Sequence, residues 1–152
     1  MKVIGVGNPW RGDDAVGLHV ARRLQERLPE GVEVLEREGE PTSLIDAWEG
    51  AGMLWLVDAV FSGASPGTVH RLDAQERELP AELFRASTHH FGLPEAVELA
   101  RALGRLPEHV VVYGIEGASF DAREGLTPEV EAAAERVAAA VQEEVERCTS
   151  RR

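Results

Sequence analysis

The sequence predicts a single three-layer α/β/α domain: a mostly parallel, twisted sheet of about five strands with helices on both faces. Three observations lead there. Short apolar runs alternate with segments of helical period along the chain, the order that builds a parallel sheet. One run, Met53 to Val60 (MLWLVDAV), is apolar at nearly every position, as a strand covered on both faces must be. No repeat or linker-like stretch interrupts the 152 residues. At that length a chain buries roughly 68–70% of its unfolded surface in one core.

Lys2 to Gly7 (KVIGVG) is a buried strand running into a Gly-Asn-Pro turn. From Asp13 the period changes: Val16, Val20, Leu24 and Leu28 mark one helix face, with Asp13 as its N-cap and Pro29-Glu30-Gly31 as its stop. Val32 to Leu35 is a second strand, and Thr42 or Ser43 caps a helix running through Trp48. Met53 to Val60 follows as the third strand. Ser62 to Gly67 is a turn cluster, after which Thr68 to Leu72 (TVHRL) alternates and closes back as an antiparallel edge strand in a hairpin. Residues 74 to 92 lack a clean period, and a connection of that length inside a compact domain is usually functional or mobile. Helix resumes near Leu93, with Pro94 in its first turn and Val97 and Ala100 inward, and Val110 to Ile115 is the last central strand. Thr127-Pro128 opens a final helix whose inner face is Val130, Ala134, Val137, Val141 and Val145. The domain spans 1–152, with a disordered tail from about 147.

Composition narrows the function. With 43% apolar and 28% charged residues, and no apolar run near the roughly 18–20 residues that cross a bilayer, the chain reads as soluble and globular. Lys2 and Val3 to Val6 are too little for a signal peptide, so a cytoplasmic location is expected. Cys148 is the only cysteine, which excludes an internal disulfide and a cysteine-based metal site. A net charge of −11, from 27 acids and 16 bases, argues against nucleic-acid binding, which needs a basic stripe to neutralise phosphates.

The stretch VGNPWRGDDAVG, residues 6 to 17, carries the chemistry. Gly7 and Gly12 have the spacing of a phosphate loop, yet Asp13 and Asp14 stand where Lys and Ser/Thr belong, and two carboxylates repel an anion. A dinucleotide fingerprint fails as well, because Gly5-x-Gly7 is followed by Trp10 at the third glycine position. In open parallel sheets ligands bind outside the carboxyl ends of the strands. The first strand leads to Asp13-Asp14 and the third ends at Asp58, so these acids open toward one rim. A helix cap needs one acid; Asp13 takes it, and Asp14 is left to face the crevice. Asp58, in an apolar strand, must be paired, hydrogen-bonded or coordinating a cation. His89 and His90 are either solvated loop residues or, with the two carboxylates, ligand types for a borderline divalent metal such as Ni, Zn or Fe. His19, His70 and His109 fall on element interiors or edges and read as structural.

Three stretches in this order, GNPWRGDDAVG at 7 to 17, VDAV at 57 to 60 and STHHFGL at 87 to 93, together with VYGIEG at 112 to 117 and GLTPEV at 125 to 130, resemble the hydrogenase maturation endopeptidases over nearly the whole chain. The resemblance implies an enzyme that removes a C-terminal peptide from the nickel-loaded precursor of a hydrogenase large subunit. It implies a metal-recognition set of Asp14, Asp58 and His89, with Asp14 and Asp58 also catalytic. His89 rather than His90 fits the family's H-x-x-G-L register through Gly92 and Leu93. Gly7, Asn8 and His90 are the expected substrate contacts. Nickel is expected to come with the precursor rather than to be held by the free enzyme; neither a nucleic acid nor a membrane is an expected partner. Two other readings stay beside this one: a self-contained metallohydrolase with its own metal, and a non-catalytic metal-sensing assembly factor.

Overall fold

The structure, a computed structural model, describes residues 1–84, 92–120 and 125–150. In chain order they form β1 (Lys2–Val6), a 3₁₀ turn (Gly12–Ala15), α1 (Val16–Gln25), β2 (Glu33–Arg37), α2 (Pro41–Trp48) and β3 (Met53–Val60). There follow β4 (Val69–Asp73), a second 3₁₀ turn (Ala81–Phe84), α3 (Leu93–Ala102), β5 (His109–Glu116) and α4 (Pro128–Ser150).

The five strands make one sheet in the order β2-β1-β3-β5-β4. The β2-β1, β1-β3 and β3-β5 pairs are parallel and β5-β4 is antiparallel, so the mostly parallel α/β/α architecture and its antiparallel edge are as expected. The hairpin is not. β4 pairs with β5 rather than with β3, His70 opposite Gly114 and Leu72 opposite Val112. The cause lies in the side chains: β3 and β5 are apolar on both faces and gain most as central neighbours, whereas the half-exposed VHRLD of β4 suits an edge.

Alternation along the strands divides the core. Ile4, Leu54, Leu56, Val60, Val110 and Val112 pack against Leu44, Ile45 and Trp48 of α2 and Leu93, Val97 and Ala100 of α3. Val3, Trp55, Val57, Val111 and Ile115 pack on the other face against Val16, Val20 and Leu24 of α1 and Val130, Val137, Val141 and Val145 of α4. Arg27, just past the end of α1, joins Glu135 of α4 through paired bonds of 2.7 and 2.8 Å.

Two termini differ from expectation. α2 is capped by Glu40, whose carboxylate accepts from Thr42 N at 3.1 Å and Ser43 N at 2.9 Å, not by Thr42 or Ser43. Pro41 occupies the first helical position and so places the cap at the residue before it, two residues upstream of Thr42. The tail from residue 147 is helical through Ser150, continuing α4. Among the described residues no helix is long and apolar enough to cross a membrane.

Candidate active site

Tight backbone approaches place Asp14 at the carboxyl end of β1. Gly7 N donates to Arg37 O at 3.0 Å, and the chain then reverses through Asn8, whose side-chain oxygen accepts from Trp10 N at 2.9 Å. Gly12, at φ 55°, enters the 3₁₀ turn, and Asp14 N donates back to Arg11 O at 3.1 Å. Glycine is required at two points. A Cβ on Gly7 would lie 2.1 Å from Asp14 O, and one on Gly17 would lie 2.4 Å from Val6 O and 2.3 Å from Val57 O. With hydrogen there, the turn folds flat against β1 and the start of α1 sits down between the ends of β1 and β3.

Asp58, near the end of β3, is 8% exposed and Asp14 6% exposed. They meet in a narrow crevice lined by Val6, Gly7, Asp14, Glu38, Gly39, Asp58, Ala59, Gly92 and Leu93, with a free volume of about 10 Å³. That is room for about one water or small ion. Burial pushes the Asp58 carboxyl well above the ordinary aspartate range, the negative charge of Asp14 pushes it further, and a 2.8 Å hydrogen bond from Ala59 N only partly offsets both.

The expected site residues are thus distributed as follows. Asp14, Asp58 and Gly7 come together in the crevice, while Asn8 lies beside it with its side-chain oxygen committed to the turn. His89 and His90 lie outside the described residues; Gly92 and Leu93, which follow them, line the crevice. Sequence reasoning missed Glu38. It follows β2, a parallel strand ending on the same rim, which is the signal that could have found it.

Asp13 requires a correction. It does not cap α1: the 3₁₀ turn and α1 both begin without a side-chain cap. Its carboxylate is fully buried and accepts instead from Ala118 N at 2.8 Å, Ser119 N at 3.0 Å, Thr127 N at 2.8 Å and Thr127 Oγ1 at 2.9 Å. Of the histidines read as structural, His70 joins the buried Glu116 at 3.1 Å, while His19 is part-buried on α1 and its imidazole pKa is lowered chiefly by that burial.

A family model described as hydrogenase maturation protease matches residues 18–144. The chain belongs to the hydrogenase maturation protease family. It is 34% identical over 150 residues to the hydrogenase 2 maturation protease of Escherichia coli K12, covering 93% of this chain and 90% of that one. The hydrogenase maturating endopeptidase HybD of E. coli superposes with a TM-score of 0.73 at 32% identity, over 94% of this chain and 92% of its own. The NiFe hydrogenase maturation protease HybD of Thermococcus kodakarensis gives 0.78 at 27% identity, over 95% and 97%. As a hydrogenase maturation protease the chain is a peptide-bond hydrolase, an endopeptidase by family, and the resemblance read from its motifs is borne out.

Proposed function

We propose that this hydrogenase maturation protease acts in the cytoplasm on the precursor of a hydrogenase large subunit, removing its C-terminal peptide once nickel is installed. In this reading Asp14, Asp58 and His89 face the metal, and Gly7, Asn8 and His90 contact the precursor. Nickel belongs to the substrate. The observation that carries the proposal is the buried Asp14–Asp58 pair, in which one carboxyl is held far above its ordinary pKa by desolvation and by its neighbour's charge. Two such acids are a poor home for an anion and a good one for a divalent cation, which relieves both the repulsion and the lost hydration.

Two carboxylates and one imidazole make an incomplete shell, so the free enzyme binds metal weakly and the precursor's own ligands complete the coordination. A filled precursor is then gripped at its metal, and an empty one brings no positive charge to the two acids. With the tail so fixed, a carboxylate of the pair positions a water and takes its proton as the water attacks the scissile carbonyl. A tenfold preference for the filled form needs only about 1.4 kcal/mol of differential binding.

The test sets nickel-loaded and nickel-free precursor side by side with the enzyme and reads the mass of the precursor's C-terminus. Elemental analysis of the purified enzyme accompanies it. Cleavage of the loaded form alone, by a protein without stoichiometric metal, is expected. Equal cleavage of both forms, or a full equivalent of metal in the free enzyme, would establish the self-contained metallohydrolase instead. Binding without any change of mass would establish the assembly factor.

A further inference from the structure

We propose that Asp13 is a positioning residue for peptide cleavage, a latch that fixes the turn carrying Asp14 beside Asp58. The inference rests on the reading of Asp14 and Asp58 as the metal-facing pair. Asp14 sits on the 3₁₀ turn of Gly12–Ala15, a single short turn with little stiffness of its own to hold a side chain in a crevice of about 10 Å³. The residue directly before Asp14 ties that turn to the rest of the fold.

Asp13 is fully buried, is absent from the crevice lining, and is saturated with donors. Its Oδ2 accepts from Ala118 N, Ser119 N and Thr127 Oγ1, its Oδ1 accepts from Thr127 N, and its own N donates to Ser119 O at 2.8 Å. Those partners are the two ends of the connection between β5 and α4: Ala118 and Ser119 just past the last central strand, Thr127 just before the long helix. The turn is therefore pinned to two rigid elements more than a hundred residues away, at 105 to 114 positions' separation. Contact is close enough that a Cβ on Gly117 would stand 3.1 Å from Asp13 Cβ. A carboxylate suits this place because it accepts from several donors at once and offers none; an amide of the same size presents one oxygen and a competing NH₂. The paired acids thus divide the work, the first satisfied wholly inside the protein and the second held toward the substrate.

The test is a double-mutant cycle on affinity for uncleaved, nickel-loaded precursor, at a temperature where near-ultraviolet circular dichroism shows each variant folded. Asp14→Asn should weaken binding about a hundredfold and Asp13→Asn about tenfold, and the double variant should match Asp14→Asn alone within about threefold, because Asp13 acts only through Asp14. A merely structural Asp13 would lower the melting temperature, and any effect on affinity would multiply with that of Asp14→Asn. Multiplying effects, or a folded Asp13→Asn with wild-type affinity, would overturn the latch. Should Asp13→Asn not fold, Thr127→Val removes one donor of the four, and about a threefold loss of affinity that vanishes in the Asp14→Asn background is expected. Unchanged affinity in Thr127→Val would then overturn it. Wild-type affinity in Asp14→Asn itself would sink the metal-facing reading, and the latch with it; a damaged Asp14→Asn beside an innocuous Asp13→Asn would sink the latch alone.

Discussion

Asp58 and Glu144 are both carboxylates set against the same sheet, and burial raises the pKa of both, but their neighbours then act in opposite directions. Glu144, on α4, has a side chain 13% exposed, and burial by itself would raise its pKa. Arg71 donates to it at 2.8 and 3.2 Å, Trp55 Nε1 at 3.3 Å and Tyr113 Oη as well, and together they bring it below the ordinary glutamate range. Burial and donation to that acid push the Tyr113 hydroxyl up to about 12. Among the described residues Asp58 receives a backbone hydrogen bond and the charge of a second acid, and its carboxyl rises. The first acid is scaffold, tying α4 to three strands. The second is held by burial and by its acidic neighbour above its ordinary pKa, the condition that an incoming cation would relieve in the proposed reading. Asp13 is a third case, with the scaffold's saturation placed beside the crevice.

The comparison breaks most sharply at Asp58. Asp58→Asn keeps the size of the side chain and its oxygen for Ala59 N but removes the charge, so processing should fall by about a thousandfold or more, some 4 kcal/mol of transition-state stabilisation, with an intact circular dichroism spectrum. Normal processing would remove Asp58 from the site, and an unfolded variant would place it with Glu144 as scaffold. Next in size is the contrast between the adjacent histidines. His89→Ala should lose processing by about a hundredfold or more, as for a deleted metal contact, whereas His90→Ala should stay within about fivefold. The reverse ranking in a cleavage assay would put the loop register off by one.

How much of this was legible follows from the range of the interactions involved. The bounds of β3 could be read from its run of apolar residues, and the inner face of α4 from Val130, Val137, Val141 and Val145, because burial imprints a period on neighbouring positions. The meeting of Asp14 with Asp58 followed from a rule about strand ends that needs only the strand directions. The donors to Asp13 could not be read, since nothing near residue 13 announces Ala118, Ser119 and Thr127; a local rule, helix capping, filled the gap wrongly. β4 failed for a related reason. A turn-like SGASPG invites a local hairpin, while the choice of β5 as partner is settled by competition among strands far apart in sequence.

A middle-sized effect tests the scaffold side. Glu144→Ala takes the acceptor from Arg71, Trp55 and Tyr113 together, and because Arg71 is partly exposed the loss should be about 2–3 kcal/mol rather than the sum of three charged hydrogen bonds. For a chain of this size that lowers Tm by about 5–10 °C. Processing below the melting transition should be unchanged, since the cluster lies away from the crevice. A fall in cleavage rate without a fall in Tm would join the two regions functionally and undo the contrast between them.

The smallest effect carries the most direct test of how Asp58 is held. In the metal-free protein its carboxyl has a raised pKa in the fold and an ordinary one in the unfolded chain. Between those two values the native state binds the extra proton, so stability falls as pH rises through that window. Below about pH 4 both states are protonated and the raised carboxyl costs nothing. Asparagine at this position has no proton to lose, so the difference in stability between the two proteins reports Asp58 together with the Asp14 charge coupled to it. Asp58→Asn should match the wild type at the acid end and become the more stable of the two as pH rises, seen as a higher Tm. The same substitution would then abolish activity and strengthen the fold, as expected where a site is built at the expense of stability. Parallel melting curves across the whole pH range would show that Asp58 is as well compensated as Glu144, leaving no strain for an incoming cation to relieve.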